Sequence, residues 1–175
     1  MRSHALAAAI LLSACALAAH AEVKEAALDH LLIQDTRTVH ASPDKLYAAL
    51  TDVGRWWNSE HTYSGDATHL SLKAEAGGCF CERWDGQSVE HGRVIWAAPG
   101  HVIRLDAALG PLQAMAVQGV MTFTLKPAPG GTALQFDYRV NGSAASGLDK
   151  IAPAANAMWM DQLQRLQRYA EKAAP

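Results

Sequence analysis

Three groups of side chains in this sequence have types and spacings suited to chemistry. The first is Glu82, Glu90 and His91, the acid–histidine group of the strand-rich half. An acid and a histidine facing one cavity can do general acid–base work on a carbonyl substrate, as cyclisation or dehydration requires. The plainer reading pairs Glu82 or Glu90 with Arg83 or Arg93 across the surface of a hairpin. The second group is Cys79 and Cys81, flanking Phe80. In an extended strand both sulfurs leave one face and Phe80 the other. Their Cβ atoms then stand about 6–7 Å apart, beyond disulfide reach unless the strand bends. The two thiolates with His91, and with His61 as a further ligand, would suit zinc or copper. That set depends on the turn at Asp85-Gly86-Gln87: a three-residue loop puts Cys81 opposite His91, a two-residue loop does not. A redox role, or plain burial as small apolar residues, are the alternatives. The third group is Trp56, Trp57, His61 and Tyr63. Either the aromatics gate a site that His61 or Tyr63 anchors, or a tryptophan simply plugs the core. No phosphate loop, nucleophile elbow or HExxH pattern occurs, and no cofactor is expected.

The elements that must position these groups are legible from periodicity. Residues 31–40 alternate as a strand, with Ile33, Asp35, Arg37 and Val39 on one face. Ser42-Pro43-Asp44 opens a helix running to about Leu50: a capping hydroxyl, proline in the first turn, and an acid near the positive end of the helix dipole. A short helical piece is expected over Val53 to Trp57. From residue 68 onward short runs of period two alternate with turn residues, giving about six strands: 69–74, 78–84, 88–97, 102–107, 117–126 and 132–140. Met121, Phe123 and Leu125 share a face, as do Leu134, Phe136, Tyr138 and Val140, while Gln135, Asp137 and Arg139 point to water. An antiparallel sheet with one dry face must be covered. Leu148, Ile151, Ala155, Met158, Trp159, Leu163, Leu166 and Tyr169 recur at three- and four-residue steps, which makes the C-terminal segment the cover. Pro153 either kinks that helix or starts its main segment. The fold class is α+β, a curved antiparallel sheet of six to seven strands with one long helix across its concave face. Such a sheet tends to leave an internal pocket.

Composition closes other doors. The chain has 175 residues, half of them hydrophobic, 18% charged and with net charge −2. That is one domain able to bury its own core, too apolar for disorder and without the basic cluster that nucleic acid demands. Residues 1–21 have a basic start, an apolar run from Ala5 to Leu17, and Ala19-His20-Ala21 before Glu22, the layout of a secretory signal peptide cleaved after Ala21. The expected location is the periplasm or outside the cell, where disulfides persist. Leu12-Ser13-Ala14-Cys15 offers the alternative of a lipoprotein anchored through Cys15. Residues 22–30 read as a loose lead-in, and 31–172 as the domain. No apolar run outside the leader is long enough to span a membrane.

The segment Thr38 to Asp52, with Ala41-Ser42-Pro43 leading into the first helix, is similar to the opening of the SRPBCC (START-like, polyketide cyclase/dehydrase) superfamily. Trp56-Trp57, Gly77-Gly78-Cys79-Phe80, Gly92-Arg93-Val94 with Pro99, and the closing helix around Leu163, Leu166 and Tyr169 extend the resemblance over roughly residues 31–172. It implies a helix-grip fold with a hydrophobic cavity between sheet and helix, and it places the Trp56–Tyr63 region near the cavity mouth. Members bind lipids, steroids or polyketides, some are cyclases or dehydratases, and others resemble the heat-shock ATPase activator. No shared catalytic set comes with the resemblance. The expected ligand is a small hydrophobic molecule held by Trp57, Tyr63, Phe80, Met121, Phe123, Phe136, Tyr138, Met158, Trp159 and Leu163. His61, Tyr63, Glu82 and His91 are the catalytic candidates, and Cys79, Cys81 and His91 the metal candidates. A co-chaperone partner is not expected of an exported chain.

Overall fold

The computed structural model describes residues 22–172; the leader and Cys15 lie outside the described residues. Eight antiparallel strands form one sheet: β1 (Glu22–Ala26), β2 (His30–Val39), β3 (Leu70–Leu72), β4 (Cys79–Trp84), β5 (Gln87–Ala98), β6 (Val102–Asp106), β7 (Gln118–Ala128) and β8 (Gly131–Asn141). Their spatial order is β1-β2-β8-β7-β6-β5-β4-β3, so a meander from β3 to β8 is closed by the N-terminal hairpin. The expected lead-in at 22–30 therefore contains an edge strand, β1, paired antiparallel with β2. Its residues are mostly exposed and three of the five are charged. Charge suits an edge, because it discourages pairing with a second chain, and it also hides the strand from a search for alternating apolar residues.

Helix α1 (Pro43–Thr51) starts as its residues dictate. Ser42 accepts the Lys45 N–H, Pro43 opens the first turn, and Leu46, Tyr47, Ala49 and Leu50 are buried. The expected second helix is a single 3-10 turn, Val53–Arg55, and two more such turns at Ser59–His61 and Ala67–His69 carry the chain to β3. Parity holds on the long strands: Phe123 lies opposite Phe136 and Met121 opposite Tyr138, all buried, while Gln135 and Arg139 are exposed. Strand β5 bends the sheet. Against β4 its register skips His91, and against β6 it skips Ile95. Each extra residue kinks and twists the strand that carries it.

Helix α2 (Leu148–Lys172) crosses the concave face and runs continuously through Pro153, which is exposed in its second turn. Leu148, Ala152, Trp159, Leu163, Leu166 and Ala170 are sealed against the sheet. Trp159 fills the middle. Its ring lies 4.4 Å from Phe136, 5.7 Å from Tyr138, 5.7 Å from Trp57 and 6.2 Å from Phe123, centroid to centroid. Among the described residues no helix is long and apolar enough to cross a membrane.

Candidate functional site

Towards the N-terminal half of α2 the grip opens into a cavity of about 550 Å³. Its wall has three sources: Trp57 to Tyr63 from the loop after α1, Leu109 to Leu112 from the β6–β7 connection, and Ile151, Ala154, Ala155 and Met158 from α2. His91 and Tyr138 reach it from the sheet. The glycines of β5 and β7 let the connection fold in. A Cβ on Gly92 would meet the Ala107 Cβ at 2.7 Å, and one on Gly119 would meet the Ala107 carbonyl oxygen at 2.1 Å. Only a residue without a side chain admits that approach. The Tyr138 hydroxyl then ties the connection down, donating to the Ala107 carbonyl at 3.1 Å and accepting the Leu109 N–H at 3.2 Å. Burial pushes this phenol well above its ordinary pKa, so it stays a hydroxyl.

The loop on the opposite wall is pinned at both ends. The Asn58 N–H donates to Gln162 of α2 at 3.0 Å, and the Asn58 amide donates to Asp161 at 2.8 Å. Trp57 Nε1 donates to the His61 carbonyl at 3.0 Å. At the far end the Tyr63 and Ser64 N–H groups both donate to the carboxylate of Glu82, which is completely buried. Burial alone would raise the pKa of Glu82, but the Ser64, Tyr63 and His91 donors outweigh it and hold the group below the usual glutamate range. The carboxylate is therefore ionised at neutral pH.

His91 completes the arrangement. Its Nε2 lies 2.9 Å from a Glu82 oxygen, and its ring packs 5.0 Å from Phe80 and 5.8 Å from Tyr63. Burial lowers its pKa and the neighbouring carboxylate only partly restores it, so the neutral imidazole is favoured. An ionised carboxylate can only accept, so the proton must sit on Nε2 and the lone pair on Nδ1. Among the described residues Nδ1 has no hydrogen-bond partner and is not one of the sealed polar atoms, and His91 lines the cavity. The arrangement offers one oriented acceptor in an apolar chamber, which can receive a hydrogen bond or a proton.

The candidates of the sequence separate cleanly in space. Trp57, Tyr63, Tyr138 and Met158 stand on the cavity wall, together with His61 and His91. Phe80, Met121, Phe123, Phe136, Trp159 and Leu163 do not; they belong to the packed core, with Phe80 directly behind His91 and Trp57. Glu82 is not on the wall but orients a residue that is. Leu109, Pro111, Leu112 and Ala154 are wall residues that periodicity missed, whereas Ile151 and Ala155, which it put on the covering face of the helix, stand on the wall as well. The metal set of Cys79, Cys81 and His91 is not formed. Asp85-Gly86 makes a two-residue turn with positive φ at both positions (43° and 76°), so Cys81 faces Glu90 and His91 points inward. The Asp-Gly pair is itself the signal for that turn. Cys79 and Cys81 form a disulfide, with Cα atoms 5.4 Å apart beside the register shift at Phe80/Cys81. That local bend is what brings them closer than the roughly 6.6 Å of two residues along a regular strand. Glu90 is the carboxylate within 4.8 Å of both sulfurs.

Known proteins agree with this architecture. The chain aligns structurally with a protein from Chromobacterium violaceum (TM-score 0.57, 21% identity, 80% of this chain and 96% of that one). It aligns similarly with the Aha1 dimer protein from Colwellia psychrerythraea (TM-score 0.59, 20% identity, 82% and 98%). A protein of unknown function from Staphylococcus aureus gives a TM-score of 0.60 at 14% identity, over 83% and 96%. At these identities the likeness concerns the fold. A search of curated proteins finds no match. The family model described as "Polyketide cyclase / dehydrase and lipid transport" matches residues 30–171. Helix-grip architecture and sequence match together make this chain a member of the polyketide cyclase/dehydrase and lipid transport family of the SRPBCC superfamily.

Proposed function

We propose that this chain is an exported protein that holds one small hydrophobic molecule in the cavity beside α2. The observation that carries the reading is the chamber of about 550 Å³ with a mainly apolar wall, within the range of about 300–1,000 Å³ typical of small-molecule sites. The family's description, which includes lipid transport, supports the same reading. Export rests on the leader at 1–21, with simple cleavage after Ala21 or a lipid on Cys15 as its two forms. The N-terminus of protein from its own host separates them: Glu22 for cleavage, modified Cys15 for an anchor, and an unprocessed chain overturns export. No co-chaperone role is part of the proposal. Native mass spectrometry of protein purified without detergent tests the ligand. A stoichiometric adduct is expected, and Ala155→Trp, which fills the chamber from α2, should abolish it. A bare wild-type mass together with no uptake of an anilinonaphthalene dye overturns the reading.

A second reading, an enzyme of the cyclase or dehydratase type, is favoured by the free lone pair on His91 Nδ1 beside Tyr63. There Nδ1 would take a proton from the carbon next to a ketone while the electron pair moves onto the carbonyl oxygen. Hydrogen–deuterium exchange of 2-tetralone in heavy water, lost in His91→Phe, is the expected sign; equal exchange in both proteins removes the reading.

A further inference from the structure

We infer that the cavity selects an apolar molecule carrying a hydroxyl group, whose O–H is donated to His91 Nδ1, over a pure hydrocarbon or an ether of the same shape. The inference rests on the cavity reading above and specifies its ligand class. Its basis is an inventory of the polar side chains on the wall, where the Thr62 hydroxyl donates to the Ser59 carbonyl at 2.7 Å and Trp57 Nε1 to the His61 carbonyl at 3.0 Å. The Tyr138 hydroxyl already donates to Ala107 and accepts from Leu109. The Tyr63 hydroxyl lies 3.2 Å from the Gly110 carbonyl and from Gln113 Oε1, tied into the rim. Glu60 and His61 are exposed at the mouth. His91 is the buried wall residue whose acceptor atom is unengaged among the described residues.

The state of that atom is fixed by design of the surroundings rather than left to solvent. A neutral histidine in water exchanges between two tautomers. Here Glu82, buried and ionised, accepts from Nε2 and leaves Nδ1 without a proton. Glu82 would pin the 57–64 loop through Tyr63 and Ser64 alone; its third partner, His91, is not needed for that task. A ligand without a donor strips water from Nδ1 and returns nothing, whereas a hydroxyl restores the bond. Sites built around such a polar atom reject the analogue that cannot pair with it.

The test compares 2-naphthol with 2-methoxynaphthalene, which share an aromatic body and differ in the donor. Titration calorimetry on the wild-type protein should show naphthol binding about tenfold tighter, the scale of one buried hydrogen bond made or lost. His91→Phe should bring the two probes to equal affinity. Nitrogen-15 NMR of histidine-labelled wild-type protein reads the tautomer without any substitution. A protonated Nε2 and a bare Nδ1 whose signal shifts with naphthol are expected. Equal binding of both probes to the wild type, or a proton found on Nδ1, overturns this inference and leaves the cavity reading standing. Failure of both probes to bind overturns the two together.

Discussion

Two regions share the concave face of the sheet and are built from the same kinds of residue, yet one is solid and the other hollow. In the middle, Trp159 is sealed among Phe123, Phe136, Tyr138 and Trp57. At the open end, α2 presents Ile151, Ala154, Ala155 and Met158, smaller or more pliable side chains, and the opposing wall is a turn and a loop rather than strand. The width of the grip is set once, by the curved sheet; what fills it is decided residue by residue along α2. Tight packing and open space are thus assigned to different turns of one helix. The sharpest way to break that division is Trp159→Ala. Because the tryptophan is fully buried, its removal should cost about 3–5 kcal/mol, read as a lowered urea midpoint. An effect below about 1 kcal/mol would mean that the middle is no better packed than the end.

The next largest effect concerns acid. Glu82 and His91 both have pKa values held below their ordinary ones, Glu82 by its donors against the opposing pull of burial, His91 by burial against the opposing pull of Glu82. For a group depressed in the folded state, the unfolded chain takes the proton first. Stability is then complete above the unfolded pKa and is lost as pH falls towards the folded one. His91 should begin this loss below roughly pH 6.5, and Glu82 should add to it below roughly pH 4.5. The other titratable groups on the same wall are Glu60 and His61 at the mouth, with Tyr63 and Tyr138. Urea denaturation at a series of pH values should show a flat plateau from neutral to mildly alkaline pH and a decline on acidification. His91→Phe should remove the first part of the decline. A stability that rises between pH 7 and 5.5 would contradict the arrangement.

How much of this was legible in the sequence follows the same division. The packed region was, because period-two alternation reports which side of a strand is dry, and Met121, Phe123, Phe136 and Tyr138 are all where parity puts them. Parity does not report whether a dry side touches its cover, so it cannot separate Phe80, Met121, Phe123 and Phe136, which pack in the core, from Tyr138, which packs there and lines the cavity as well. The wall residues Gly110 to Leu112 lie in a 3-10 turn over 110–115, which Leu109 caps, and no period exists there to be found. The pairing of Glu82 with His91 hung on one turn: taking Asp85-Gly86 as a two-residue hairpin places both on the inner face. Residues 22–26 escaped notice because an edge strand dressed in charge has no apolar rhythm. Alternation puts Asp35 and Arg37 on one face with Ile33 and Val39 without saying which face is buried; in the structure all four are buried, and the two charged residues form an ion pair at 2.6 Å.

Tyr63 is half exposed, and its hydroxyl joins the loop over residues 57–63 to the 110–115 turn through Gly110 and Gln113. If the open end is a region of binding rather than of stability, cutting that strut should leave the fold almost untouched. Tyr63→Phe keeps the ring near His91 and removes only the hydroxyl, so urea denaturation should change by no more than about 0.5 kcal/mol, as for surface substitutions generally. The consequence should appear in exchange instead. With the rim no longer bridged, the loop keeps its two end anchors, Asn58 bonded to α2 and the Tyr63 backbone bonded to Glu82, but loses its tie across to the 110–115 turn. Stopped-flow displacement of bound 2-naphthol should therefore run a few-fold faster in the variant, with entry accelerated to a similar degree and the equilibrium affinity nearly constant. A large loss of stability would instead make Tyr63 part of the packed region, and the boundary between the two regions would have to be redrawn on its far side.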